Sequence, residues 1–217
     1  MSQLRKYIRN LRRDFISGVL DKKSVSKSPF VQFESWMKQA IDAGIEEPNA
    51  MTLSTVDKNL QPDSRVVLLR DLNRNGFSFF TNYLSEKGKQ IQSNKRACLN
   101  FYWPELHRQV RIKGMISRLS PKESDEYFDS RPRESQIGAW ASQQSSVLES
   151  RASLESKIEF YLQKFEGMKV PRPIHWGGYR LNPKSMEFWQ GRENRLHDRI
   201  LYTKMKNGAW KLNRLNP

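Results

Sequence analysis

The 217-residue chain contains a single cysteine, Cys98, and only three histidines. One cysteine excludes an intrachain disulfide framework and indicates a reducing compartment, so we expect a cytoplasmic protein. The histidines (His107, His175 and His197) lack the spacing of metal ligands, and there is no cysteine cluster. The sequence therefore predicts no metal site.

Long apolar runs and several common catalytic motifs are also missing. No stretch approaches the roughly 18 apolar residues that a membrane-spanning helix needs. There is no glycine-rich dinucleotide fingerprint, no Walker A loop and no Gly-x-Ser-x-Gly nucleophile elbow. These absences argue against a membrane protein, a nucleoside triphosphatase, a Rossmann-type dehydrogenase and a serine hydrolase.

Acidic residues are strongly outnumbered. The chain has 38 Lys and Arg against 23 Asp and Glu, which gives a net charge of +15. Such an excess suits either nucleic acid or small anionic ligands. No zinc-finger, helix-turn-helix or RNA-binding signature accompanies the charge, so small anions are the favoured partners and a basic nucleic-acid-binding module is the alternative.

Apolar periodicity and turn residues predict helices, strands, helices and again strands along the chain. This order indicates an α+β fold that is mainly β, an antiparallel barrel with flanking helices. Residues 1–27 form a basic segment that we expect to be a mobile lid, and residues 28–217 are predicted to form one domain. Predicted strands cover 50–56, 65–72, 76–81, 97–103, 109–119, 176–182, 185–190, 198–203 and 209–214, and predicted helices begin near 3, 28, 85, 120, 133 and 150.

The segment 188–199 combines three arginines with Trp189 and His197. Arginine supplies paired donors to phosphate oxygens, and tryptophan offers a flat face to an aromatic ring. The segment is therefore typical of a site for a planar, phosphorylated ligand. A basic edge strand with one core tryptophan explains the same residues equally well.

Other candidate anion ligands occur in small groups. Arginines stand at both ends of the apolar run 65–70, and a hydroxyl and a lysine follow at Thr81 and Lys87. Tyr127, Arg131 and Ser135 are spaced by four, so they share one helix face if the helix continues through Pro132, where a break is expected. Charged strand ends, a helix cap and a surface ion pair are the structural alternatives.

A family resemblance rests on five segments: 65–70, 79–82, 127–140, 143–146 and 188–199. In combination they resemble the pyridoxine/pyridoxamine 5′-phosphate oxidase family. The resemblance runs from about residue 11 to the C-terminus. It implies an FMN-binding split β-barrel, Greek-key-like, and a homodimer with shared active sites. The implied activity oxidises pyridoxamine or pyridoxine 5′-phosphate to pyridoxal 5′-phosphate with O2, releasing H2O2 and, from the amine, NH3, as part of vitamin B6 metabolism.

The resemblance also implies residue roles, with Arg195 and His197 as the catalytic pair. The implied substrate contacts are Arg12, Arg70, Tyr127, Arg131, Ser135, Arg195 and His197. The implied FMN contacts are Arg65, Val66, Val67, Leu68, Leu69, Arg70, Phe80, Thr81, Lys87, Gln109, Gln144, Ser145, Trp189 and Arg199.

Three positions depart from the family pattern. Arg70 stands where lysine is usual, which replaces a point donor by a planar fork. Phe15 stands where tyrosine is common, and Glu86 stands where a basic residue is common, so no FMN role is assigned to Glu86. Another flavin oxidoreductase on the same barrel is the nearest alternative.

Overall fold

The computed structural model describes residues 3–10 and 18–217. Over these residues the chain forms six α-helices and nine β-strands, with short 3-10 turns at Pro104–Leu106 and Glu193–Arg195. The helices are α1 (Gln3–Asn10), α2 (Pro29–Asp42), α3 (Glu86–Ser93), α4 (Pro121–Asp129), α5 (Arg133–Ala141) and α6 (Arg151–Lys164). The strands are β1 (Ala50–Val56), β2 (Pro62–Leu68), β3 (Asp71–Asn73), β4 (Gly76–Asn82), β5 (Arg96–Trp103), β6 (Arg108–Arg118), β7 (Trp176–Gln190), β8 (Asp198–Lys204) and β9 (Trp210–Leu215).

Local side-chain chemistry accounts for several helix ends. A capping box opens α4, near the predicted start at 120, because Ser120 accepts a hydrogen bond from the Glu123 amide and the Glu123 carboxylate accepts one from the Ser120 amide. Ser28 lies at the N-cap of α2 as expected, but its side chain makes no capping hydrogen bond. Proline at the first position still favours this start. Gly44, at φ 71°, follows the end of the helix.

The sheet follows the order β2-β1-β5-β6-β7-β4-β3, while β8 pairs with β7 and with β9. Antiparallel registers join Leu53 to Arg65 in β1 and β2, and Phe80 to Gly178 in β4 and β7. Strand β2 lies at one end of this order, so it is an edge strand. It contains Arg65, one of the predicted site residues.

Two predicted strand boundaries are wrong. The predicted strand 65–72 is divided into β2 and β3, because the chain changes partner: the Leu69 amide donates to Asn49 O at 2.9 Å, and the Arg70 amide donates to Ser78 O at 2.9 Å. The two strands predicted over 176–182 and 185–190 are one long strand, β7. Pro183 lies between the parts of β7 that pair with β4 and with β8, where its fixed φ is compatible with extended backbone.

The chain divides into two compact units. The first comprises Met1–Pro48, Phe101–Arg111 and Ser185–Pro217, with a core in which Phe33 packs against Phe101 and Phe188 packs against Tyr202. The second comprises Asn49–Asn100 and Ile112–Lys184. Its helices α4 and α5 contribute Phe128 and Ile137 to a buried cluster that also contains Phe165, Val170 and Trp176. Across the described part of the chain, every helix is too short or too polar to cross a membrane.

Candidate active site

A cavity of about 680 Å³ lies in the second unit, beside strand β2 and helices α4 and α5. Its volume is within the range of roughly 300–1,000 Å³ that is typical of ligand and cofactor sites. Thirteen of the residues named from the sequence line it. They are Arg65, Val66, Val67, Leu68, Arg70, Phe80, Thr81, Lys87, Tyr127, Arg131, Ser135, Gln144 and Ser145.

Arg65 is held by protein partners. One terminal nitrogen donates to Leu53 O at 3.1 Å and to Thr55 Oγ1 at 2.6 Å. The other donates to Gln90 Oε1 at 3.0 Å and forms an ion pair with Asp63. Because both terminal nitrogens are engaged and a carboxylate offsets the charge, Arg65 has little capacity left for a ligand beyond its Nε atom.

Lys87 is the more available cation in this part of the cavity. The residue is buried at the first turn of α3, and burial, followed by the nearby Arg65 charge, lowers the pKa of its ammonium group. Its Nζ atom donates to Gln144 Oε1 at 3.1 Å, and Thr81 Oγ1 donates to the same oxygen at 3.0 Å. An ammonium group and a hydroxyl therefore converge on one amide oxygen at the cavity wall. Lys87 also donates to Ser85 Oγ at 3.4 Å, and since an ammonium carries three hydrogens it keeps a charged donor that suits a phosphate.

Arg131 lies at the turn between α4 and α5, where the predicted helix break occurs. Gln136 closes this turn, since its Nε2 atom donates to Phe128 O at 2.9 Å and to Arg131 O at 3.2 Å. The Nη1 atom of Arg131 is buried and has no hydrogen-bond partner among the described residues. Burial lowers the pKa of this guanidinium, the Tyr127 hydroxyl acts in the opposite direction, and the Arg70 charge lowers it further.

The neighbouring arginine of the same segment has a different environment. Arg133 donates to Phe165 O at 2.5 Å and to Met168 O at 3.0 Å, and so ties α5 to the end of α6. Two arginines separated by one proline are therefore distinguished by the tertiary structure. Arg133 is a structural tie, whereas Arg131 presents an unsatisfied donor to the cavity.

Sequence reasoning missed five lining residues. Four of them lie within or next to segments that carried the family resemblance, so those segments gave a usable signal. Trp176, at the start of β7, had no such signal beyond a large aromatic residue before two glycines. The five are Asn82, Gly138, Ala139, Ser142 and Trp176.

The remaining predicted site residues lie elsewhere. Leu69 is half-buried outside the cavity wall, with its carbonyl accepting from Asn49 Nδ2 at 3.1 Å. Arg12 lies outside the described residues, as does Phe15. Five predicted residues belong to the first unit: Gln109, Trp189, Arg195, His197 and Arg199.

Within the first unit, backbone contacts set the tautomer of His197. Its Nδ1 atom accepts a hydrogen bond from the Arg192 amide at 3.1 Å, which assigns the proton of the neutral ring to Nε2. Burial, followed by the Arg195 charge, lowers the pKa of this imidazole. The Trp189 ring lies 4.6 Å away, centroid to centroid, at 48°. In this tautomer the Nε2 atom of His197 is a hydrogen-bond donor.

Arg199 is anchored by a buried carboxylate. Its Nε atom donates to Glu187 Oε1 at 2.9 Å and its Nη1 atom to Asn216 O at 2.9 Å, while Arg111 forms a second ion pair with Glu187. Burial acts to raise the pKa of Glu187, but hydrogen bonds from Arg199 and Arg111 outweigh it and lower the pKa overall. Glu187 therefore fixes the orientation of both guanidinium groups.

The sequence of the chain matches two family models and several curated relatives. Residues 37–164 match a family model described as pyridoxamine 5′-phosphate oxidase, and residues 176–217 match one described as the pyridoxine 5′-phosphate oxidase C-terminal dimerisation region. A pyridoxine/pyridoxamine 5′-phosphate oxidase from Nostoc punctiforme is 49% identical over 98% of this chain and 99% of its own length. One from Paraburkholderia phymatum is 52% identical over 96% and 98%.

The chain belongs to the pyridoxamine 5′-phosphate oxidase family. It is accordingly an FMN-dependent oxidoreductase, which confirms the enzyme class and the cofactor that the resemblance implied. Among solved structures, PhzG from Burkholderia lata 383 matches with a TM-score of 0.86 at 30% identity, over 93% of this chain and 99% of that one. An FMN-binding protein from Nostoc punctiforme, 16% identical with a TM-score of 0.70 over 89% and 100%, shares the fold. The predicted α+β split-barrel fold is confirmed.

The cavity suits FMN by its volume and its donors. The buried Lys87 ammonium, with the polar side chains of Thr81 and Gln144 beside it, suits a phosphate monoester, and the edge strand β2 offers backbone next to an open space. The unsatisfied Arg131 Nη1 atom can donate to a second anionic group in the same cavity. These residues therefore fit one phosphorylated cofactor together with one further anionic group.

Proposed function

We propose that this enzyme oxidises pyridoxamine 5′-phosphate and pyridoxine 5′-phosphate to pyridoxal 5′-phosphate, using O2 and releasing H2O2 and, from the amine, NH3. The observation that carries the proposal is the buried, unpartnered Nη1 atom of Arg131 in a cavity that also contains a separate donor group at Lys87. Relatives about half identical over nearly the whole chain carry the corresponding name and support the proposal.

Binding of the substrate phosphate is assigned to Arg131, Tyr127 and Ser135. All three line the cavity from the α4–α5 region. Arg131 brings a fork of donors, and the two hydroxyls supply further hydrogen bonds to the remaining oxygens. Arg70, which also lines the cavity, adds positive charge where the family has lysine.

Binding of the cofactor phosphate is assigned to Lys87, Thr81 and Gln144. Arg65 acts mainly as a support here, because its terminal nitrogens already bind Leu53, Thr55, Gln90 and Asp63. When bound, FMN would supply the two-electron redox chemistry, with O2 as the final oxidant. The protein's contribution is to orient both rings and to exclude alternative geometries.

Arg195 and His197 remain the predicted groups that orient the pyridine ring and its C4′ substituent. The tautomer of His197 makes it a donor through Nε2 at neutral pH. Arg195 is exposed, at a φ of 60°. A homodimer with shared active sites also stays a prediction, supported by the match to a dimerisation region. The lid formed by residues 1–27, the single domain over 28–217 and the cytoplasmic location likewise stay predictions.

Anaerobic addition of pyridoxamine 5′-phosphate to the FMN-loaded protein tests the proposal. We expect the flavin absorption to bleach and, on readmission of air, one equivalent of H2O2 to appear for each pyridoxal 5′-phosphate formed. Pyridoxamine without its phosphate serves as the matched ligand and should react much less efficiently. A flavin that stays oxidised with the phosphorylated substrate would rule out the proposed reaction.

Arg131→Ala examines the phosphate assignment directly. We expect a KM for pyridoxamine 5′-phosphate raised by roughly 10- to 100-fold, because a charge-assisted hydrogen bond contributes about 1.5–3 kcal/mol. Arg74→Ala, at an exposed position in the β3–β4 turn, is the matched control. Equal KM values for Arg131→Ala and Arg74→Ala would show that Arg131 does not bind the substrate phosphate.

A different oxidation on the same barrel is the competing function. PhzG was solved in complex with tetrahydrophenazine-1-carboxylic acid, a ligand without a phosphate, and it matches this chain at 30% identity. If this chain shared that substrate class, the phosphate-free tricyclic carboxylate would bleach the flavin faster than pyridoxamine 5′-phosphate. Affinity for DNA or RNA that falls steeply with salt, without substrate turnover, would instead support the nucleic-acid alternative.

A further inference from the structure

Three aromatic rings form a nearly parallel layer beside Arg131. The ring planes of Tyr127 and Trp176 differ by 3°, with centroids 6.2 Å apart. The Phe80 ring is inclined by 16° to Tyr127 and by 14° to Trp176, at centroid distances of 3.8 and 5.7 Å. All three residues line the cavity. The three rings therefore share nearly the same orientation on the cavity wall.

The Arg131 guanidinium lies over the Trp176 ring, with Cζ 4.5 Å from the ring centroid. The Phe128 ring is farther away, at 5.7 Å. Within the described part of the chain, no carboxylate lies within ion-pair distance of Arg131, and its Nη1 atom has no hydrogen-bond partner. The tryptophan face is accordingly the main contact that offsets the cost of burying this charge.

An aromatic face and a carboxylate hold a guanidinium in different ways. A carboxylate binds the N–H edge and would occupy the donors that an anionic ligand needs. A ring contacts the flat face and leaves the edge donors available. The arrangement at Trp176 thus fixes the plane of Arg131 without consuming its hydrogen bonds.

Trp176 is itself held firmly. Its carbonyl accepts from Arg172 Nη1 at 2.6 Å, and its amide donates to Pro173 O at 3.0 Å. The next two residues are glycines in a crowded place: a Cβ on Gly177 would lie 2.1 Å from the Tyr83 hydroxyl, and one on Gly178 would lie 2.8 Å from Phe80 Cε1. These contacts fix the backbone from which the Trp176 ring projects.

We propose that Trp176 is a positioning residue for phosphate recognition, whose ring holds Arg131 flat so that Arg131 directs its donors at the 5′-phosphate of the substrate. The proposal rests on the proposed function. It differs from a purely structural role for Trp176 in the buried cluster, because it requires the effect of Trp176 to pass through Arg131.

A double-mutant cycle tests this dependence. Trp176→Leu should raise the KM for pyridoxamine 5′-phosphate by roughly 2- to 30-fold, the range expected for a lost cation–π contact, and should leave kcat nearly unchanged. Trp176→Phe, which keeps a weaker ring, should give an intermediate KM and provides a milder variant if the leucine variant does not fold. Trp140→Phe, in the same helical region but outside the cavity wall, is the matched control and should leave KM unchanged.

The decisive comparison is made in the Arg131→Ala background. There, either Trp176 substitution should change KM by less than about twofold. An equal rise of KM in both backgrounds, or no rise in the wild-type background, overturns the proposal. Thermal midpoints and FMN dissociation constants of all variants identify any loss of folding.

Calorimetric titration with inorganic phosphate separates this proposal from the proposed function. The affinity of the FMN-loaded protein for phosphate should fall in Trp176→Phe and in Arg131→Ala, without additivity in the double variant. If the effects of Trp176 and Arg131 on phosphate affinity are non-additive but the wild type does not oxidise pyridoxamine 5′-phosphate, the proposed reaction is wrong and the role of Trp176 stands. If the oxidation proceeds but the coupling is absent, the role of Trp176 fails alone.

Discussion

The Nζ atom of Lys87 lies 3.1 Å from Oε1 of Gln144, although the two residues are 57 positions apart in the sequence. The contact joins the start of α3 to the segment after α5 and aims a buried ammonium group along the cavity wall. Since Arg65 is occupied by protein partners, Lys87 is the cation whose charge is most available to a cofactor phosphate.

Replacement of Lys87 by methionine should therefore weaken FMN binding. Methionine keeps the length of the side chain but removes the charge-assisted hydrogen bond, which is worth about 1.5–3 kcal/mol, so the dissociation constant should rise roughly 10- to 100-fold. Fluorescence titration of the apoprotein with FMN measures it. Lys89→Met changes an exposed lysine of the same helix and should leave the constant unaltered. Equal constants for the two variants would contradict the assignment.

Glu187→Gln should destabilise the protein and make its free energy of unfolding depend less on pH in acid. Removing one charge from a buried group that holds Arg111 and Arg199 should lower the free energy of unfolding by up to about 3 kcal/mol at neutral pH. The pKa of Glu187 is lowered in the folded state, so its contribution is present above the unfolded value near 4.5 and is lost as the pH falls through the folded value.

Urea unfolding of wild type and Glu187→Gln between pH 7 and pH 3 measures both effects. The difference between the two proteins should shrink as the pH falls. Glu159→Gln, an exposed position on α6, should match the wild type throughout. A difference that grows in acid would show that the sign of the pKa shift is wrong.

His197 should be neutral at pH 7 and should carry its proton on Nε2. The Arg192 amide occupies Nδ1, and burial with the Arg195 charge lowers the pKa below the ordinary value of 6.5. Nitrogen-15 NMR of the imidazole rings, assigned with His107→Gln and His175→Gln, reports both the tautomer and the titration. A titration midpoint above 6.5, or a proton on Nδ1, would contradict the structure.

Gly178→Ala should lower stability, because the new methyl group would lie 2.4 Å from Leu119 Cδ1 and 2.8 Å from Phe80 Cε1. Overpacking of this kind costs about 1–3 kcal/mol. Gly138→Ala is the opposite case: a Cβ there meets no atom within 4 Å, and alanine favours helix by about 0.5–1 kcal/mol. Chemical unfolding at one fixed FMN concentration compares them. A stabilised Gly178→Ala variant would show that the side chains of Leu119 and Phe80 leave room for a methyl group at this position.

Local sequence was sufficient for much of the secondary structure. The Ser120 and Glu123 capping box and the glycine after α2 act within a few residues, so their effect is readable without the fold. The errors at 65–72 and 176–190 have one cause. A strand begins and ends where its hydrogen-bonding partners do, and the partners of Leu69 and Arg70 are Asn49 and Ser78.

The sequence by itself indicated the family, through five segments that resemble it, and through that resemblance the cofactor and most of the residues on the cavity wall. It did not distinguish among the arginines. Only the tertiary structure decided that Arg65, Arg133 and Arg199 are bound by protein groups while Arg131 keeps an unsatisfied donor over Trp176. The reason is physical: the availability of a guanidinium depends on which carboxylates, carbonyls and rings surround it, and those neighbours come from distant parts of the chain.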